Sequence, residues 1–208
     1  MPLILPGNVA SATASTTYDV ANSCRFNKAD SDYMKRTFGT PTDNDKWTFS
    51  LWVKRGNVDT LWHWLFGVAI NEGYIALGSL SNLYWYMVDN DPVVDGRLYT
   101  TRLFRDPAAW YHFVFVWDTA NATAGNRMRI YVNGVEETSF TTDTNPVTTV
   151  STINTAEEHR IGAYHSGDLN EFDGYMADVV FIDGQALTPS SFGEFDSDSP
   201  TIWKPKDV

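Results

Sequence analysis

The stretch WYHFVFVWDTANATAGNRMRIYVNGVEE, residues 110–137, decides the fold. In its first half Trp110, His112, Val114 and Val116 alternate with Tyr111, Phe113, Phe115 and Trp117, so an extended chain here is apolar on both sides. Such a strand belongs in the middle of a packed sheet, covered on both faces. From Arg127 to Val132 the pattern changes. Met128, Ile130 and Val132 share one side, with Arg127, Arg129 and Tyr131 on the other, which predicts a half-exposed strand. Asn133-Gly134 follows between Val132 and Val135, and this pair accepts the positive φ values of a two-residue type I′ turn.

Upstream, Trp47, Phe49, Leu51 and Val53 alternate with Thr48, Ser50, Trp52 and Lys54, predicting a strand with one buried face. Stretches 61–70, 73–77, 83–88 and 97–104 read as further strands of a meander, separated by turn-forming residues. Downstream, the Thr- and Asn-rich residues 138–157 read as a long surface loop with one short edge strand near 147–150. Residues 160–164 and 175–182 read as strands. Thr188-Pro189 offers a helix N-cap followed by proline at the first helical position, so 189–194 is predicted as one short helical turn. The fold class is therefore all-β: a two-sheet antiparallel β-sandwich, jelly-roll in type, with one short C-terminal helical turn. Residues 1–20 read as an extended N-terminal arm, 21–195 as the sandwich and 196–208 as an extended tail.

The totals agree with one domain. The chain has 208 residues, 43% of them hydrophobic and 14% aromatic, enough for broad sheets packed face to face. Acidic residues outnumber basic ones by 26 to 15, a formal net charge of −11, which argues against a nucleic-acid partner because that affinity comes mainly from phosphate neutralisation. The single cysteine, Cys24, excludes a disulfide within the chain and reads as a small buried apolar residue. MPLILPG has no basic region and too short an apolar run for a signal peptide, so synthesis in a cytoplasm without export is expected. No stretch is long and apolar enough for a membrane-spanning helix.

WYHFVFVWD, RMRIYVNG, RIGAY (160–164) and FDGYMADVVFIDGQALTPSSFGE (172–194) together resemble the laminin-G-like domains of the concanavalin-A-like superfamily. NSCRFNKADSDYMKR (22–36) and KWTFSLWVKR (46–55) are similar to that family's first strands. The ending FIDGQALTPSSFGE…WKPK resembles bacteriophage virion proteins, marine ones especially. A fold resemblance does not determine function, because the superfamily includes lectins, glycosidases and purely structural modules.

Several groups of side chains could form a site. Hydrolysis of a glycan needs two carboxylates at hydrolytic spacing, and the one look-alike, Glu194-Phe195-Asp196-Ser197-Asp198, reads better as a solvated acidic tail. His112 reads as a satisfied core histidine, and His159, His165 and Asp168 match no zinc spacing. The family resemblance implies one Ca²⁺ site, with Asp178 as a ligand and Asp30, in the loop Asn27–Asp32, beside it. The alternative is that Asp178 accepts backbone hydrogen bonds or pairs with an arginine. Trp62, Trp64 and Phe66 share one face of a strand, as do Tyr84 and Tyr86. Such stripes either stack on sugar rings or fill the core, and Trp52, among polar neighbours, is the aromatic expected outside. Leu3, Ile4 and Leu5 in the arm and Trp203 in the tail read as docking anchors for a virion or subunit partner. The arm is equally readable as a first edge strand.

The expected function is non-enzymatic: a virion surface protein, either capsid decoration or head fibre, with a capacity for glycans. A tail-associated glycan-binding adhesin is the alternative and a glycan-cleaving hydrolase the third reading. Its partners would be other virion proteins, copies of itself and host-surface glycans.

Overall fold

The computed structural model describes residues 18, 20–68, 73–88, 94–147, 151–164 and 170–208. Leu3, Ile4, Leu5, His165 and Asp168 lie outside them. In chain order the strands are β1 (Cys24–Phe26), β2 (Met34–Thr37), β3 (Lys46–Arg55), β4 (His63–Val68), β5 (Gly73–Leu77), β6 (Asn82–Val88), β7 (Val94–Leu103) and β8 (Tyr111–Asp118). Then come β9 (Met128–Val132), β10 (Val135–Glu136), β11 (Phe140–Thr144), β12 (Glu158–Ile161), β13 (Gly174–Asp183), β14 (Gly193–Phe195) and β15 (Trp203–Pro205). Six of them form one sheet in the order β1-β13-β3-β8-β9-β10, and seven form a second in the order β11-β7-β6-β5-β4-β12-β2. The strand pairs are antiparallel throughout. The all-β, two-sheet sandwich read from the alternation is thus the observed fold.

The two sheets meet through their inward residues. Tyr111, Phe113, Phe115 and Trp117 of β8 and Met128, Ile130 and Val132 of β9 face Phe66, Ile75, Leu83, Trp85 and Leu98 of the other sheet. Trp85 crosses Trp47 edge-on at 5.4 Å and Phe115 at 5.5 Å, and each such ring contributes about 2–3 kcal/mol by leaving water. Asn133 (φ 50°) and Gly134 (φ 80°) make the expected turn between β9 and β10.

Outside the six-stranded sheet lies a further layer. The chain leaving β13 returns across that sheet's outer face. Gln185 O accepts a hydrogen bond from Thr48 Oγ1 at 2.7 Å, and Leu187 N donates to the same Oγ1 at 2.8 Å. Leu187, Ala186 and Phe192 pack on Val114, Val116 and Tyr131. This layer corrects three expectations. β3 is buried on both faces, Thr48 and Ser50 included, rather than on one. Tyr131 is buried, so β9 is not half-exposed. Residues 196–208 do not run on as an extended tail: β15 pairs back onto β14, Phe195 opposite Trp203.

Smaller corrections have local causes. Within 138–157, β11 pairs with β7, because Phe140 packs against the core, and Ser151, Ile153 and Asn154 are buried. The expected helical turn is a single 3₁₀ turn, Pro189–Ser191, where the Thr188 hydroxyl bonds Ser190 Oγ and does not cap the backbone. Cys24 is exposed, since only Phe26 of β1 points inward.

Candidate functional site

The outer face of the seven-stranded sheet carries an aromatic layer. Alternation puts it there: Ile75 and Leu77, Leu83, Trp85 and Met87, and Leu98 face the core, so Tyr74, Tyr84, Tyr86, Arg97 and Tyr99 face out. Strand register then aligns them. One transverse row runs Lys35, Arg160, Gly67, Tyr74, Tyr86, Arg97 and Thr144 across all seven strands. The adjacent row runs Trp64, Ala76, Tyr84, Tyr99 and Thr142.

Trp62 and Trp64 join this face, their rings 5.4 Å apart and nearly parallel. Phe66 does not. β4 has a bulge between Trp64 and Phe66, and the extra residue turns both Leu65 and Phe66 inward. A strict two-residue period therefore misplaces Phe66, which belongs to the core against Phe49 at 4.4 Å.

The rings support one another. Trp62 lies 4.5 Å from Tyr84, Tyr84 lies 4.1 Å from Tyr99, and Tyr74 stacks on Tyr86 at 5.0 Å. Trp64, Tyr74 and Tyr164 enclose the small residues Ala76 and Gly67, and a Cβ on Gly67 would stand 2.7 Å from the Tyr164 ring. Trp62, Tyr74, Tyr84, Tyr86 and Tyr99 remain half-buried, with ring surface reaching solvent. Burial pushes the Tyr74 and Tyr99 phenols above their ordinary value, so both stay neutral hydroxyls. Arg97 sits over Tyr86 at 4.9 Å and Tyr99 at 5.5 Å, and at the opposite flank Arg160 sits over Tyr33 at 5.1 Å. The face thus offers flat apolar rings with polar rims.

Trp52 is a correction. It is 8% exposed, not outside, because its ring packs against His112 beside β15. Trp52 stacks on His112 at 4.8 Å, and His112 in turn faces Trp203 at 5.9 Å. Trp203 Nε1 donates to His112 Nδ1 at 2.8 Å. Indole only donates, so Nδ1 carries no proton, and Nε2 donates to Ser50 Oγ at 2.8 Å. Burial holds the His112 pKa down to about 3. Trp203, read as a docking anchor for a partner, thus anchors its own sheet. It lies across Gly134 and Gly193, where a Cβ would approach its ring within 2.4 and 2.5 Å. A cavity of about 330 Å³ beside it is lined by Trp52, Trp110, Ala177 and Val20.

The two carboxylates expected to share a calcium ion are not brought together. β13 bulges between Ala177 and Val180, and Asp178 sits on the bulge at φ 44°, half-exposed, accepting from Tyr18 Oη at 3.1 Å. The bulge also reverses the strand's parity, so Met176, Val179 and Phe181 face the core while Ala177, Val180 and Ile182 face out. Loop Asn27–Asp32 lies beyond Gly174, beside Glu171 and Asp173, about 13 Å along β13 from Asp178. There Asn27 Nδ2 donates to Asp30 Oδ2 at 2.5 Å. No group of three or more His, Cys, Asp or Glu among the described residues is placed to hold a metal ion.

The acidic run 194–198 is engaged in its hairpin. Lys204 Nζ stands 3.4 Å from both Glu194 and Asp196, and Asp196 Oδ1 accepts from the Asp198 and Ser199 amides. Those amide bonds lower the Asp196 pKa, the reverse of what a general acid needs. His159 lines a cleft of about 430 Å³ at the open side of the sandwich, where Phe38 stacks on it at 3.9 Å. Its Nδ1 donates to Glu157 O, and burial holds its pKa down to about 4.

Solved structures share this architecture. A heptameric SAP-like pentraxin from Limulus polyphemus is 15% identical, with a TM-score of 0.50 over 76% of this chain and 72% of that one. A putative carbohydrate binding protein from Bacteroides ovatus is 14% identical, with a TM-score of 0.51 over 72% of this chain and 41% of that one. A sialidase from Streptococcus pneumoniae is 14% identical, with a TM-score of 0.51 over 84% of this chain and 28% of that one. At such identities the likeness is one of fold, and the chain spans less than half the length of the last two. No curated protein sequence matches the chain. The family described as the concanavalin A-like lectin/glucanases superfamily matches residues 28–191, most of the sandwich. With that match and the two-sheet architecture, the chain belongs to the concanavalin A-like lectin/glucanase superfamily.

Proposed function

We propose that this chain is a non-catalytic glycan-recognition module whose binding surface is the aromatic outer face of the seven-stranded sheet. The observation that carries the reading is the layer of half-buried Trp and Tyr rings around Trp62, Tyr74, Tyr84, Tyr86 and Tyr99, arranged in rows across the strands. Sugar rings present flat C–H faces that pack on such rings, while the phenol hydroxyls at the rims satisfy sugar hydroxyls. Relatives in fold include a protein named as carbohydrate binding, which agrees with the reading. The Glu194 and Asp196 carboxylates are engaged with Lys204 and, for Asp196, with backbone amides, which supports recognition over hydrolysis.

The module is displayed on a bacteriophage particle, as capsid decoration or head fibre. The resemblance of FIDGQALTPSSFGE and WKPK to virion proteins supports this placement. A tail adhesin would use the same face.

Immobilised oligosaccharides tested with wild-type protein and with Trp62→Ala examine the binding role. The expected result is binding by the wild type and its loss in the variant, at nearly unchanged melting temperature. Equal binding by both would remove the aromatic face from consideration. Locating the chain in a particle map separates capsid from tail.

A further inference from the structure

We propose that the aromatic face is built for an acidic oligosaccharide, with Arg97 as the residue that takes the ligand's carboxylate or sulfate. The inference rests on the glycan-recognition reading and adds its charge. Three observations carry it.

First, Arg97 stands at the β7 end of the aromatic rows, beside Tyr86 and Tyr99. Its guanidinium lies over Tyr86 at 4.9 Å and Tyr99 at 5.5 Å, which holds the fork in place beside the rings that would stack on sugar. Second, no carboxylate among the described residues pairs with it, and its Nε is buried without a hydrogen-bond partner there. Among the described residues the buried or half-buried Arg55, Arg127 and Arg129 also lack a carboxylate, but each donates to a carbonyl or hydroxyl oxygen, and Arg97 has no such bond. Third, neither transverse row contains an aspartate or glutamate. Their charged members are Lys35, Arg160 and Arg97, all cationic. Glu158, beside the first row, already pairs with Arg160 and Lys35, and Arg160 Nη1 is buried without a partner.

Arg160 and Arg97 are four strands apart in the same row, about 19 Å at the spacing of neighbouring strands. A chain of several sugar rings laid across the strands covers that distance, its rings on Tyr74 and Tyr86 and its anionic groups towards the two guanidiniums. A planar guanidinium takes a carboxylate or a sulfate through two parallel N–H donors, which a lysine cannot do.

The test titrates wild type, Arg97→Gln, Arg97→Lys and Trp62→Ala against oligogalacturonate and its neutral methyl ester. A second pair, a sulfated galacto-oligosaccharide and its desulfated counterpart, separates carboxylate from sulfate. The wild type is expected to prefer one acidic ligand over its neutral match by about tenfold or more, the worth of one charge-assisted hydrogen-bonded pair. Added salt should erode that preference. Arg97→Gln should abolish the preference while keeping neutral binding, Arg97→Lys should retain part of it, and Trp62→Ala should lose both ligands. Equal binding of acidic and neutral ligands by the wild type overturns the anionic proposal and leaves the stacking face standing. No binding of any ligand overturns both. A parallel loss of both ligands in Arg97→Gln, with a lowered melting temperature, would make Arg97 a prop for Tyr86 and Tyr99 and overturn its role in charge.

Discussion

The two outer faces of the sandwich begin alike and end differently. Each carries large aromatic residues on alternate positions of its central strands: Trp52 and His112 on the six-stranded sheet, and Trp64, Tyr74, Tyr84 and Tyr99 on the seven-stranded one. The first face is roofed. Residues 185–205 fold over it, and Trp203 closes onto His112, which stacks on Trp52. Among the described residues, the second face is covered only by its own rings packing side by side. An aromatic with a roof is core, and an aromatic without one is surface available to a ligand. The same residue type therefore stabilises on one side and, in the proposed role, recognises on the other.

The sharpest test of that contrast is the roof itself. Trp203→Ala removes the donor to His112 Nδ1 and empties the space against Gly134 and Gly193, and should lower unfolding free energy by about 3 kcal/mol in a denaturant titration. A loss below about 1 kcal/mol would mean that the roof is decorative.

Acid should act on the same face. The His112 pKa is about 3 in the fold, against about 6.5 in an unfolded chain. The unfolded state therefore binds the extra proton first. The stability from neutral His112 is complete above about pH 6.5 and falls by about 1.4 kcal/mol per pH unit as pH drops towards 3. His159 adds a second slope of the same sign that ends near pH 4. Denaturant midpoints from pH 7 to 4.5 should show the decline, and His112→Gln should flatten it. An unchanged slope in that variant would place the acid sensitivity elsewhere.

Gly134→Ala should cost about 2 kcal/mol, since φ is +80° and the new Cβ would meet the Trp203 ring at 2.4 Å. Gly125→Ala, with nothing within 4 Å of the added carbon, is the matched control and should change the melting temperature little.

The smallest stability effect should come from the open face. Trp62→Ala removes a half-buried ring stacked on Trp64 and tilted against Tyr84 and should cost only about 1 kcal/mol, while removing glycan binding. A loss as large as that of Trp203→Ala would show that both faces are structural.

Much of the fold was legible because alternation is unbroken in β5, β8 and β9, through Tyr84–Met87 of β6 and through Arg97–Tyr99 of β7, and a two-residue period sorts inward from outward there. Asn133-Gly134 likewise announced its turn. The candidate site was half legible. Trp62, Trp64, Tyr84 and Tyr86 stood out in the sequence, but Tyr74, Tyr99 and Arg97 did not. They come from other strands and meet only through register.

What the sequence by itself determined is therefore what is local: strand existence, sidedness within an unbroken strand, and the tight turn. Tertiary structure decided what depends on distance along the chain. It placed Phe66 inside and Asp178 on a bulge, because one extra residue reverses parity and leaves no mark in composition. It buried Trp52 and left Trp62 half-buried, because whether a face is covered depends on a segment about 150 residues away, Trp203 at 2.8 Å from His112, which no period within a strand can register.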